Sequence, residues 1–118
     1  MYIISKEFHF SASHQLDTLP PSHQCAHLHG HNYIVELVLQ GEAVDRHGFV
    51  VDYLELKPFK EFIDQELDHK HLNDVMDCPT SAENIARFLF DWAIERWPQV
   101  SAVRVSETPK TWAEYRQS

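Results

Sequence analysis

Ile4, Phe8, Phe10 and Ala12 fall on one parity together with Lys6 and His14. That is the period of a strand with one buried face, so residues 2–13 are predicted as a first strand. Residues 17–28 contain Pro20 and Pro21 and read as a loop. Residues 29–40 carry Tyr33-Ile34-Val35-Glu36-Leu37-Val38-Leu39, a β-branched and aromatic run that alternates, and Gly41 closes it as a second strand. Asp45-Arg46-His47-Gly48 is turn chemistry, and residues 49–51 are predicted as a short third strand. The period then changes. Leu56, Phe59, Phe62, Ile63 and Leu67 recur at helical spacing. Pro58 sits too deep for a helix beginning at Tyr53, so a loose first turn and a regular helix from about Glu55 are expected. Residues 68–78 read as a loop. Thr80 and Glu83 form a capping box that opens a second helix, with Ile85, Phe88, Leu89, Trp92 and Ala93 on its buried face and Pro98 as its stop. Residues 100–107 and 112–116 are two further strands. The order predicts an α+β fold, an antiparallel sheet with two helices on one face and edges left for a partner chain.

Length and composition narrow the class. A chain of 118 residues with 43% apolar content is read as a single domain, residues 1–118, with a modest core. It has no apolar run long enough to span a membrane. Met1-Tyr2-Ile3-Ile4-Ser5-Lys6 lacks a signal-peptide pattern, so a cytoplasmic location is expected. Cys25 and Cys78 form no CxxC pair, and a disulfide is not expected in that compartment. The formal net charge of −8 argues against a nucleic-acid partner. It also means that any anionic ligand needs cations gathered locally; Lys6, Arg46, Arg104 and Lys110 are candidates by charge.

The candidate chemistry begins with His29 and His31. On a strand they point to the same face, with backbones roughly 7 Å apart, within reach of one metal ion. His14, at the end of the first strand, is the candidate third ligand. Three neutral histidines on Zn²⁺ leave one coordination position open, as catalytic rather than structural zinc sites do. Cys25, four residues before His29, has three readings: buried packing, a base or nucleophile, or a fourth ligand that would make the site structural. Asp68-His69 ends the first helix. His69 reads either as a helix cap or as a general acid/base tuned by the carboxylate; adjacent residues do not face each other on a helix, so the pair needs loop geometry or a neighbouring subunit's site. Glu107 ends the apolar stripe of Val103 and Val105, where a carboxylate must be paired. Arg104 and Lys110 are possible partners; so is the N–H edge of a pterin or guanine ring, which a carboxylate can grip with two parallel bonds.

Several motifs occur together in order: Phe8-x-Phe10-x-Ala12-x-His14, Cys25-x3-His29-Gly30-His31, Leu67-Asp68-His69-x2-Leu72-Asn73, Pro79-Thr80-Ser81-x-Glu83-Asn84 and Val105-x-Glu107-Thr108. This set resembles the 6-pyruvoyltetrahydropterin synthase family. Within it, the short spacer between Cys25 and His29 is most similar to the bacterial 6-carboxy-5,6,7,8-tetrahydropterin synthases of the queuosine pathway. The resemblance implies a tunnelling fold (T-fold) whose subunits join into a barrel, usually a homohexamer built as a dimer of trimers. It implies zinc on His14, His29 and His31, a proton-transfer set of Cys25, Asp68 and His69, and Glu107 as anchor of the pterin ring. The implied reaction converts 7,8-dihydroneopterin triphosphate to 6-carboxytetrahydropterin with loss of acetaldehyde and triphosphate. The alternatives are a pyruvoyl-type synthase that eliminates triphosphate and keeps the side chain, a dihydroneopterin aldolase-like activity, and a zinc- and pterin-binding protein without turnover. His27 and His71 lie close to the motifs and receive no role from the resemblance.

Overall fold

The computed structural model describes residues 1–117. Four strands, β1 (Tyr2–His14), β2 (His29–Gly41), β3 (Val100–Ser106) and β4 (Ala113–Arg116), form one antiparallel sheet in the order β1-β2-β3-β4. Two helices, α1 (Lys57–Glu66) and α2 (Ala82–Ile94), lie between β2 and β3 in the chain. Their apolar faces pack on one side of the sheet: Phe59 and Ile63 of α1, and Ile85 and Leu89 of α2, share one core with Phe8, Phe10, Tyr33, Val35 and Val105. Phe59, Leu56, Leu67, Ile85 and Leu89 are fully buried. Each such side chain contributes about 1.5–3 kcal/mol by leaving water.

The alternation predicted for the first strand is the one observed. Phe8, Phe10, Ala12 and His14 are buried, while Ser5, Glu7 and His9 face solvent. β1 and β2 pair in register along their whole length, ending at His14 opposite His29 and Ala12 opposite His31. Gly30 belongs to this close pairing: a Cβ there would lie 3.2 Å from the Ala12 carbonyl oxygen.

Helix α1 starts as the position of Pro58 requires. A 3₁₀ turn over Tyr53–Leu56, capped by Asp52 accepting from the Leu54 N–H, precedes the α-helix, and Pro58 falls in its first turn. A proline there loses no hydrogen bond that the helix would otherwise make.

Three expectations are corrected. Residues 49–51 form no strand, and Val50 and Val51 lie in a bend. The Asp45 carboxylate accepts from the N–H groups of His47 and Phe49, Gly48 adopts φ +87°, and Val51 turns into the core. The cap of α2 is Ser81, whose hydroxyl accepts from the Asn84 N–H; Thr80 is fully buried one residue earlier. The edge of β1 is only partly open. Residues 69–71 close its C-terminal half, with His69 N–H donating to Ser11 O (2.6 Å), Ser13 N–H donating to Lys70 O (3.1 Å), and a parallel bridge between Ser13 and His71.

Candidate metal centre and its surroundings

His14 closes β1 and His29 opens β2, directly across from it. His31 lies two residues further along the same face of β2. Their rings stand edge to face, with centroids 4.5 Å apart for His14 and His29, 5.1 Å for His14 and His31, and 4.8 Å for His29 and His31. One ring nitrogen from each falls within 4.8 Å of the others. The histidine triad read from strand parity is therefore assembled in space.

The hydrogen bonds around the triad decide what these nitrogens can do. His14 Nδ1 lies 2.7 Å from the Thr80 carbonyl oxygen and 3.2 Å from its Oγ1, and His29 Nδ1 lies 2.7 Å from the His27 carbonyl oxygen. A carbonyl only accepts, so in both rings the proton sits on Nδ1 and Nε2 keeps its lone pair. His14 Nε2 and His31 Nε2 are buried and have no hydrogen-bond partner among the described residues. Burial also holds the His14 and His31 pKa values below the usual imidazole range, with the Glu107 charge opposing the effect in both. Imidazoles whose Nε2 atoms face one another, two of them with Nδ1–H held by a carbonyl, are the donor set a divalent transition metal takes. The residues present fit such an ion.

Glu107, immediately after β3, comes to the same place. Its carboxylate oxygen lies 3.7 Å from His31 Nε2. The structural ion pair considered for it goes elsewhere: Arg104 pairs with Glu36 (3.4 Å) and Glu114 (3.5 Å). Glu107 lines a cavity of about 220 Å³ with Glu83, Val105, Thr111 and Trp112. Beneath the cluster, Tyr33 stacks on Phe10 (4.7 Å) and stands edge-on to His31 (5.5 Å) and His14 (6.1 Å). Its hydroxyl is buried without a hydrogen-bond partner among the described residues, and burial together with the Glu107 charge pushes its pKa strongly upward.

Asp68 and His69 do have the loop geometry that adjacent residues need. His69 follows α1 with φ +58°, and this left-handed turn brings its Nδ1 to 2.8 Å from Asp68 Oδ2. Asp68 Oδ1 accepts the Ser11 N–H at 2.9 Å; that bond, reinforced by His69, holds the carboxyl below the usual carboxylate range. The His69 side chain is 81% exposed. It and His31 line a common cavity, but it does not join the histidine triad. Cys25 lies in a 3₁₀ turn, Gln24–Ala26, and is half-buried. Its sulfur stands outside the cluster of metal-capable atoms, so the triad has no fourth protein ligand from Cys25.

Three neighbours of the site received no functional role from the sequence. Tyr33 reads as core by parity, Thr80 reads as a cap, and Lys70 follows two residues that drew attention for other reasons. No local pattern marks any of them as part of a site.

A profile of the 6-pyruvoyl tetrahydropterin synthase family matches residues 3–118. The chain belongs to the 6-pyruvoyl tetrahydropterin synthase family. It is 35% identical over 125 residues to the 6-carboxy-5,6,7,8-tetrahydropterin synthase of Synechocystis, covering 98% of this chain and 93% of that one. A shorter match, 45% identical over 62 residues, covers 52% of this chain and 52% of the dihydroneopterin monophosphate aldolase of Pyrococcus furiosus. Among solved structures, the Caenorhabditis elegans 6-pyruvoyl tetrahydropterin synthase superposes with a TM-score of 0.84 at 27% identity, over 100% of this chain and 98% of that one. The α+β architecture is thus the fold of this family's synthases, and the chain is a family member of pterin-lyase type. No helix among the described residues is long and apolar enough to cross a membrane.

Proposed function

We propose that this chain is a zinc-dependent 6-carboxy-5,6,7,8-tetrahydropterin synthase. Its substrate is 7,8-dihydroneopterin triphosphate, its products are 6-carboxytetrahydropterin, acetaldehyde and triphosphate, and its place is in cytoplasmic queuosine (7-deazaguanine) synthesis. The observation that carries the reading is the triad of imidazoles, their ring nitrogens gathered beside the Glu107 carboxylate. Similarity to several carboxytetrahydropterin synthases over nearly the whole chain supports the choice of branch.

His14, His29 and His31 would hold the ion through ring nitrogens. When bound, Zn²⁺ supplies Lewis acidity toward the oxygens of the substrate side chain. Glu107 grips the ring N–H groups and fixes which side-chain carbon meets the base. Cys25 acts as one proton acceptor. His69, oriented by Asp68, gives or takes the other proton. Its outward position suits a site shared between subunits, and we assign the chain to a homohexamer built as a dimer of trimers.

The Pyrococcus relative favours one second reading, cleavage of a dihydroneopterin phosphate in the manner of an aldolase. Mass spectrometry of the products from 7,8-dihydroneopterin triphosphate separates the readings. A carboxytetrahydropterin with stoichiometric acetaldehyde and triphosphate is expected. A pterin that keeps all three side-chain carbons would assign the pyruvoyl reaction, and release of a phosphorylated two-carbon fragment would assign the aldolase. Binding without turnover would leave a pterin-binding protein.

A further inference from the structure

Two cavities lie near His31. Glu107 lines the smaller one and lies 3.7 Å from His31 Nε2. The other, of about 490 Å³, is bordered by His31 and lined by Ser13, Asn32, His69, Lys70 and His71 among others. No carboxylate lines it, although the whole chain carries a net charge of −8. The cations first considered for an anionic ligand are placed elsewhere. Arg104 is held between Glu36 and Glu114 and lies over Trp112, Arg46 reaches His47, and Lys6 lies over Phe8. Lys110 lines neither cavity. Lys70 makes no ion pair among the described residues, and its backbone is fixed to β1 through Ser13 N–H.

The neutral groups beside Lys70 are also turned to donate. The Ser11 hydroxyl donates to Asn32 Oδ1 at 2.6 Å, and the Asn32 amide N–H₂ has no acceptor among the described residues. The Ser13 hydroxyl lies 3.0 Å from His71 Nδ1. When that nitrogen accepts the hydroxyl proton, His71 Nε2 carries a hydrogen. His31 of the triad thus neighbours the Glu107 carboxylate and shares a cavity with a cation and N–H donors, which gives the order carboxylate, imidazole, cation. A pterin with a phosphorylated side chain has the matching order: ring N–H edge, oxygen-bearing carbons, polyanion.

We propose that the cavity beside Lys70 is the subsite for the linear polyphosphate tail, with Lys70 as its charged contact and Asn32 and His71 as its neutral donors. This rests on the pterin reading above and assigns the end of the substrate that the reading leaves unplaced. Lys70 is exposed, so its replacement leaves the core intact.

The test measures two dissociation constants on metal-loaded protein: one for 7,8-dihydroneopterin triphosphate and one for unphosphorylated 7,8-dihydroneopterin. Lys70→Met should weaken the triphosphate about tenfold or more, the scale of one charge-assisted hydrogen bond. It should leave the unphosphorylated pterin within about twofold. Lys70→Arg should restore most of the triphosphate affinity, because it keeps the charge. Equal losses for both ligands, or an unchanged triphosphate Kd, would overturn the assignment. If the wild-type protein binds neither pterin, the proposed function fails first. Inorganic tripolyphosphate titrated into metal-free protein then tests the cavity alone. Binding that depends on Lys70 keeps the anion site; absent or Lys70-independent binding removes it.

Discussion

The Nδ1–H of His14 donates to the main-chain carbonyl of Thr80, 66 residues further along the chain, at 2.7 Å. This bond sets the tautomer of the buried member of the triad. It also ties the end of β1 to the entry of α2, so the geometry at Nε2 depends on where that helix begins. The pH behaviour follows from the same environment. Burial holds the folded pKa values of His14 and His31 below the ordinary value near 6.5. Unfolded imidazoles take up protons that the folded ones refuse. Metal-free protein should therefore hold its full stability above about pH 6.5 and lose it progressively as the pH falls toward the depressed values. Urea denaturation of chelator-treated protein at pH 7.5 and 5.5 measures the loss. His14→Gln should flatten the profile, and an equally steep one would place the effect elsewhere.

Metal binding should release less than one proton per ion from His14 and His31 at neutral pH, since both are already neutral. Calorimetry in buffers of different ionisation enthalpy reads this number. Removal of the ion by a chelator should lower Tm, because the ion binds only the folded arrangement.

Tyr33→Phe should not destabilise the metal-free chain. The hydroxyl it removes is buried without a partner among the described residues, and an unsatisfied donor costs roughly 1–3 kcal/mol. A gain of about 1 kcal/mol in denaturant unfolding is expected. A loss of that size would show that the hydroxyl finds a partner in solution.

Cys25→Ala and His69→Ala should each keep metal and fold while turnover falls by roughly 10²–10⁴. If the site is shared between subunits, mixing the two inactive variants under conditions that exchange subunits should restore part of the activity. Restoration is expected because the His69 side chain is 81% exposed and free to serve a neighbour's site. Mixed oligomers that stay inactive would place both residues in one subunit's site.

Glu107→Gln keeps the side chain's shape and replaces one acceptor oxygen with a donor. Pterin binding should weaken by about 1.5–3 kcal/mol with metal content unchanged. Because Arg104 already has two other carboxylate partners, little change in Tm is expected. A drop in Tm with unaltered pterin Kd would reduce Glu107 to a structural role.

The strands and the triad were legible because both follow the period of two. Phe8, Phe10, Ala12 and His14 declare one face, and His29 with His31 must share another. The features that were not legible arise from contacts between distant segments. Thr80 and Ser81 both carry hydroxyls that can cap a helix, and only the presence of His14 beside Thr80 decides between them. Val50 and Val51 suit a strand by composition, but the Asp45 carboxylate captures the nearby N–H groups and bends the chain. Residues 69–71 cover the β1 edge through main-chain bonds, which leave no trace in side-chain pattern. Asp68 and His69 could be read as a pair, but not the left-handed residue that makes the pairing possible.

That left-handed residue ties two needs together. The segment that shields the backbone of Ser11 and Ser13 is the one that presents Asp68, His69 and Lys70. A substitution that frees it would bare a strand edge to other molecules and scatter the polar groups in the same event. Aggregation and inactivity should therefore arrive together in such variants, and selection for solubility alone would preserve the chemistry.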